Sequence, residues 1–230
     1  MKKNILIIGG SKGIGLAITR KLQKENTLFI ASRTREQLVD PNITHIPFDA
    51  TTDELDASLL PQHLDGFVYC PGSIILKPFK MLDMDTFGED MEINFLSMVK
   101  IVKAVLPKMT KGAAIVLFST VAVGTGMPYH TSIAAAKGAI EGFSKALAAE
   151  YAPNIRVNVI APSLVDTPLA KRLLNNDRKR EQMANRHPLQ RVGEAEDIAN
   201  CAVFLLSSES SWITGQILRP DGGMSSIKRD

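Results

Sequence analysis

Short apolar runs alternate with stretches of helical spacing along the whole of this 230-residue chain. That alternation restricts the fold more than any other feature. Ile5-Leu6-Ile7-Ile8 is a continuous aliphatic run, the pattern of a strand covered on both faces. Residues 13–25 follow, with Ile14, Ala17, Ile18 and Leu22 on one side of a helix. The patterning predicts further strands at 27–31, 43–46, 67–70, 113–118, 155–160 and 216–218. It predicts helices at 35–39, 85–109, 131–151, from about 168, and at 194–206. Strands joined by helices imply right-handed crossovers and a parallel sheet with helices on both faces. No linker, repeat or low-complexity segment interrupts the pattern. The expected fold is therefore α/β, a single doubly wound parallel sheet within one domain over residues 1–230.

Composition removes several function classes. With 45% hydrophobic and 22% charged residues, the chain has the balance of a soluble globular protein. A net charge of +3 with no aromatic-basic patch gives no reason to expect nucleic acid as a partner. The two cysteines, Cys70 and Cys201, lie in apolar stretches outside any metal-ligand spacing. They read as reduced, packed thiols of a cytoplasmic protein. His45, His63, His130 and His187 are scattered, so no metal site is expected. The apolar run near the N-terminus is too short for a signal-peptide core or a membrane span, and no membrane partner is expected.

Doubly wound sheets bind ligands beyond the carboxyl ends of their strands. There the first strand runs into Gly9-Gly10-Ser11-Lys12-Gly13-Ile14-Gly15 and then the first helix. Glycines allow a sharp turn and close approach to a pyrophosphate, and a helix N-terminus offers free N–H groups to it. The second strand ends in Ser32-Arg33-Thr34-Arg35, with no acid to bind a ribose hydroxyl. Arg33, with Lys12 in the glycine loop, instead favours a 2′-phosphate, and hence NADP(H) over NAD(H).

With these features in order, the chain closely resembles the short-chain dehydrogenase/reductase family over nearly its full length. The resemblance implies a Rossmann fold and a set of site residues. Gly9, Ser11, Lys12, Gly13, Ile14 and Gly15 match the cofactor loop. Asp49, followed by Ala50, matches the acid that contacts adenine. Pro71 and Gly72 stand in the turn after the fourth strand. Asn94 matches the asparagine that holds a proton-relay water, and Lys137 the active-site lysine. Pro162, Val165 and Thr167 lie in the segment clasping nicotinamide, and Asp221-Gly222-Gly223 resembles the carboxyl-terminal signature. A segment near 168–190, containing the charge run Arg178-Lys179-Arg180, corresponds to the lid over substrate. The long helices around 94–109 and 131–151 correspond to dimerisation helices, implying a homodimer or homotetramer.

The departures bear on activity. The fourth strand ends in Tyr69-Cys70-Pro71-Gly72, where the family has an Asn-Ala-Gly-like turn. Thr120 stands in the catalytic serine position, with Ser119 beside it as a substitute. The catalytic tyrosine position holds Ile133, which can neither donate nor accept a proton. Three replacements suggest themselves: Tyr129, one helical turn earlier and the best placed if the helix includes it; His130; and a water held by Lys137 and Thr120. The expected function is an NADP(H)-dependent oxidoreductase acting on a carbonyl or alcohol of a small molecule, with altered proton delivery. The alternatives are a catalytically impaired NADP(H)-binding sensor or partner subunit, and a non-redox reaction using bound cofactor or Lys137.

Overall fold

In the computed structural model, which describes residues 2–228, the aliphatic runs become strands because their side chains are buried on both faces. β1 (Asn4–Ile8) leads into α1 (Gly13–Leu22), and β2 (Thr27–Ser32) and β3 (Ile43–Pro47) follow. β4 (Leu64–Tyr69) precedes α2 (Met84–Met91) and α3 (Ser97–Val105), which are joined by one π-helical turn at Glu92–Leu96. β5 (Met109–Phe118), α4 (Thr131–Tyr151) and β6 (Ile155–Ile160) form the next crossover. β7 (Val165–Asp166), α5 (Asp177–Ala184), β8 (Gly193–Glu194), α6 (Ala195–Leu206) and β9 (Ile217–Leu218) complete the order.

Seven strands form one parallel sheet in the order β3-β2-β1-β4-β5-β6-β9, and β7 pairs with β8 separately. The winding reverses between β1 and β4, and that switch point opens a crevice at the carboxyl ends of the strands. Because strand side chains alternate, β1 feeds two separate cores. Leu6 and Ile8 pack with Met98, Val102 and Val105 of α3 and Ile140 and Leu147 of α4. Ile5 and Ile7 pack with Leu16 and Ile18 of α1 and Ile198, Ala202 and Leu205 of α6. A small third cluster of Ala170, Leu174 and Val192 lies under the segment that β7 and β8 tie down.

The structure corrects three expected elements. Residues 35–39 make only one turn, closed by Leu38 N–H donating to the Arg35 carbonyl at 2.8 Å. Five residues ahead of Pro41 are too few to repay helix nucleation. The expected helix at 85–109 is interrupted by the π turn and ends early. Pro107 lacks the N–H a helix needs, so residues 106–108 tighten into a 3₁₀ turn and β5 starts at Met109. After Pro168 only a 3₁₀ turn forms (Pro168–Ala170), and helix resumes at α5, where the Asn176 side chain accepts from Lys179 N–H at 2.9 Å.

The core makes a direct stability prediction. Phe67 has no exposed surface in the centre of β4, whereas Val39 is 89% exposed. Phe67→Ala is expected to lower the unfolding free energy by about 3–5 kcal/mol, and Val39→Ala to change it by less than about 0.5 kcal/mol. Denaturant unfolding of both variants checks this, and equal midpoints would contradict the core assignment.

Candidate active site

The glycine loop holds its shape by contacts only small residues permit. Gly9 N–H donates to the Ala31 carbonyl at 2.8 Å, and the Thr19 hydroxyl donates to the Gly10 carbonyl at 2.9 Å. A side chain on Gly15 would run into the Gly9 carbonyl oxygen, so α1 can begin this close to β1 only with glycine there. The amino end of α1, with its unpaired N–H groups, thus faces the crevice. Ser11 and Thr34 hydroxyls lie 3.3 Å apart and join the loop to the end of β2. Lys12 sits at the N-cap of α1 and is exposed. Arg33 is also largely exposed, 3.8 Å from the Asp49 carboxylate. Asp49 is held below the usual carboxylate range, first by the Thr51 N–H (3.0 Å) and hydroxyl (2.7 Å), with Arg33 a smaller contributor. Ala50 packs against the larger core cluster.

A cavity of about 260 Å³ opens at the same end of the sheet. Ile14, Gly72, Lys137, Pro162, Val165 and Thr167 all line it. Pro71 does not, and instead packs against Gly9. The roof is apolar, with Leu169, Ala170, Leu173 and Met183 from the segment after Pro168. Arg186 and His187 stand at its edge. His187 fixes this roof to the segment below. Its Nδ1 lies 2.8 Å from the Met183 carbonyl, which can only accept, so Nε2 accepts from the Ser163 hydroxyl at 2.8 Å.

Lys137 is the buried charged group of the cavity wall, only 8% exposed. Its Nζ donates to the Phe118 carbonyl at the end of β5, at 3.0 Å. Burial pulls its pKa down to about 8, while the Asp90 carboxylate behind the wall pushes the other way. Desolvation pushes the Cys70 thiol up to about 12. The chain passes at Gly72 so tightly that a side chain there would lie 3.0 Å from Asn94 Oδ1 and 3.5 Å from Lys137 Nζ.

Asn94 lies inside the π turn, a backbone irregularity frequent at functional sites. Its Nδ2 donates to the Asp90 carbonyl and to Ser73 Oγ, both at 2.8 Å, and its buried Oδ1 has no partner. Tyr69, the departure at the end of β4, donates its hydroxyl to the Ile93 carbonyl in the same turn at 2.6 Å.

The residues around position 133 fall into place differently from expectation. Ile133 lines the cavity one turn before Lys137 and is buried. Thr120 lines it too, its Oγ1 accepting only from Ala122 N–H at 3.3 Å, so the hydroxyl proton is free. Ser119 is committed elsewhere, donating to Glu141 Oε1 at 2.6 Å. Tyr129 was expected to share the face of Ile133 if the helix included it. The helix starts at Thr131, and Tyr129 instead sits in a left-handed turn (φ 70°), 54% exposed and outside the cavity wall. His130 does line the cavity. Its Nδ1 donates to the Pro128 carbonyl at 2.7 Å, which leaves Nε2 free. Ser73 and Asp90, which sequence reasoning missed, also belong to this neighbourhood. The signal was present, since Asp90 precedes Asn94 by four residues and so shares its helix face.

Among the described residues, no group of three or more His, Cys, Asp or Glu is placed to hold a metal ion. Nor is any helix among them long and apolar enough to cross a membrane.

A parallel sheet with a glycine loop after its first strand, and a buried lysine beyond its switch point, defines a protein of the dinucleotide-binding Rossmann class. Comparison with known proteins agrees and is more specific. Residues 9–225 match the family model described as enoyl-(acyl carrier protein) reductase. The chain is 31% identical to the 3-oxoacyl-[acyl-carrier-protein] reductase FabG of Chlamydia trachomatis, covering 97% of this chain and 98% of that one. It is 29% identical to human dehydrogenase/reductase SDR family member 4, covering 96% and 87%. Among solved structures, ElxO with NADP bound superposes with a TM-score of 0.89 at 27% identity, covering 99% and 100%. A tyrosine-to-phenylalanine variant of ElxO with NADPH bound gives 0.87 at 28% identity, covering 99% and 100%. The chain belongs to the short-chain dehydrogenase/reductase family, a family of oxidoreductases.

The loop geometry makes its own prediction. Gly15→Ala must displace the Gly9 carbonyl, and dinucleotide affinity measured by fluorescence is expected to fall at least about tenfold, or ~1.4 kcal/mol. Unchanged affinity would remove the glycine loop from the binding site.

Proposed function

We propose that this protein is an NADP(H)-dependent oxidoreductase of the short-chain type, exchanging hydride between nicotinamide and a carbonyl or alcohol substrate, with its proton delivered by a group other than residue 133. The observation that carries this reading is the buried Lys137 in the cavity wall, meeting Asn94 against Gly72, beside an intact glycine loop. Burying an ammonium with a single carbonyl acceptor is costly, and a bound group that engages it offsets that cost.

The residues present fit the cofactor. The amino end of α1 and the loop from Gly9 to Gly15 would hold the pyrophosphate. Arg33 and Lys12 would meet a 2′-phosphate, and Asp49 with Ala50 the adenine. Lys137 would engage the nicotinamide ribose, with Pro162, Val165 and Thr167 against the ring; Asn94, fully buried and outside the cavity wall, would not touch it. When bound, the nicotinamide supplies or accepts the hydride. Thr120 donates its free hydroxyl proton as a hydrogen bond to the substrate oxygen. The apolar roof excludes water and favours a substrate with hydrocarbon next to the reacting carbon. The solved ElxO structures with NADP and NADPH bound support the choice of cofactor. The protein acts in the cytoplasm as a homodimer or homotetramer packed through α3 and α4.

One observation favours a second reading, a cofactor-binding sensor or partner subunit: the hydrocarbon Ile133 in the wall of the cavity. NADPH and NADH binding, followed by NADPH oxidation with ketones, quinones and acyl-thioester carbonyls, separates the two. Wild type is expected to prefer NADPH and to turn over, and Arg33→Ala to reduce the preference about tenfold. Ile133→Tyr is expected to raise kcat by roughly 10²-fold, the lower end of what a positioned acid contributes. Tyr129→Phe is expected to change nothing. Tight binding with turnover only in Ile133→Tyr would establish the sensor reading instead.

A further inference from the structure

Behind the cavity wall lies a buried polar chain that the reading above leaves unused. Asp90, on α2, has no exposed surface. Its Oδ1 accepts from the Ser73 hydroxyl, and its Oδ2 has no partner. Ser73 Oγ accepts in turn from Asn94 Nδ2 at 2.8 Å, and Ser73 also lines the cavity with Lys137. Asn94 Oδ1 and Lys137 Nζ then lie against the same point of the chain, Gly72. A buried carboxyl group with an open oxygen is unfavourable unless a cation faces it, and a buried ammonium needs the reverse. Asp90 and Lys137 make no direct contact, and the carboxylate acts on the ammonium through space across this polar layer.

We propose that Asp90, held in place by Ser73 behind the cavity wall, keeps Lys137 charged and so makes Lys137 the acid of a site whose position 133 has none. This rests on the oxidoreductase reading. In the reductive direction, Lys137 gives one N–H proton to the substrate oxygen as the adjoining carbon receives hydride from the reduced nicotinamide. An O–H bond forms, an N–H bond breaks, and Lys137 remains as a neutral amine that solvent recharges. Asp90 touches neither substrate nor cofactor, and is a positioning residue.

The electrostatics have the required sign. Burial lowers the Lys137 pKa to about 8, and the Asp90 charge opposes that fall. The other groups facing this neighbourhood are Cys70 at the end of β4, and His130, Arg186 and His187 around the cavity. Glu141, one turn on along α4, is engaged by Ser119. Reduction needs the ammonium, so activity should fade as pH rises through about 8. Asp90→Asn removes the opposing charge, so the limb should move to lower pH.

The test uses two readouts on full-length protein. Competitive acetylation across pH, read at Lys137 by mass spectrometry, reports its titration without any turnover. NADPH oxidation across pH reports its role. In Asp90→Asn the labelling midpoint and the activity limb are expected to move together to lower pH by about one unit, a roughly tenfold loss of protonated Lys137 on the alkaline side. NADPH affinity should stay within about threefold of wild type. Ser73→Ala, which removes no charge, should shift both in the same direction by less. A labelling midpoint unmoved in both variants overturns the proposal. So does a limb that His130→Gln removes and Asp90→Asn leaves in place, which would make His130 the acid. A Lys137 that titrates as expected in a protein that oxidises NADPH with no substrate overturns the oxidoreductase reading, and with it the acid role, while Asp90's hold on Lys137 stands.

Discussion

An ammonium group taken out of water is the constraint on which this site depends. Lys137 loses hydration that no single hydrogen bond replaces, and its one protein acceptor is the Phe118 carbonyl. Everything nearby answers that loss. Gly72 lets the chain pass close to it, the π turn brings Asn94 to the same point, and Asp90 adds a charge behind them. The polar chain Ser73–Asp90–Asn94 is half satisfied within the protein, with Asp90 Oδ2 and Asn94 Oδ1 left open. Unsatisfied buried polar groups mark sites that do something other than stabilise.

The sheet makes this arrangement possible. β1 and β4 diverge at the switch point, so the glycine loop and the Tyr69–Ser73 segment leave the sheet side by side. β5 delivers Phe118 to Thr120 next to them, and α4 crosses behind with Lys137. The two cores on opposite faces hold these strand ends rigidly. The roof is a separate small cluster, tied to the frame through the β7–β8 ladder and His187.

Ile133 shows how a hydrocarbon changes the character of a site without changing its shape. It occupies a buried place in the wall, one turn from Lys137. With apolar roof residues above and isoleucine in the wall, the cavity suits a largely apolar ligand. Polar chemistry at the wall comes from Ser73 after β4, Thr120 and His130 between β5 and α4, and Lys137 on α4, with Arg186 and His187 at the edge.

Much of this was legible in the sequence. The strand runs, the glycine loop, the long helix at 131–151 and the parallel architecture follow from periodicity and glycine spacing, which are local properties of the chain. Lys137 and Ile133 could be paired from their four-residue spacing alone. The exclusion of Tyr129 could not, because it depends on where α4 begins and on a left-handed turn that tertiary packing imposes. The break in the helix after Met91 was equally hidden, since a single π turn inserts one residue into the repeat and no residue type marks it. The contact of Ser73 with Asp90 joins residues seventeen apart on different elements. Sequence determined which chemical groups the site holds, because residue types and helical spacing are written locally. Only the tertiary structure decided which of them meet, because a hydrogen bond between distant segments exists only once the sheet has brought their ends together.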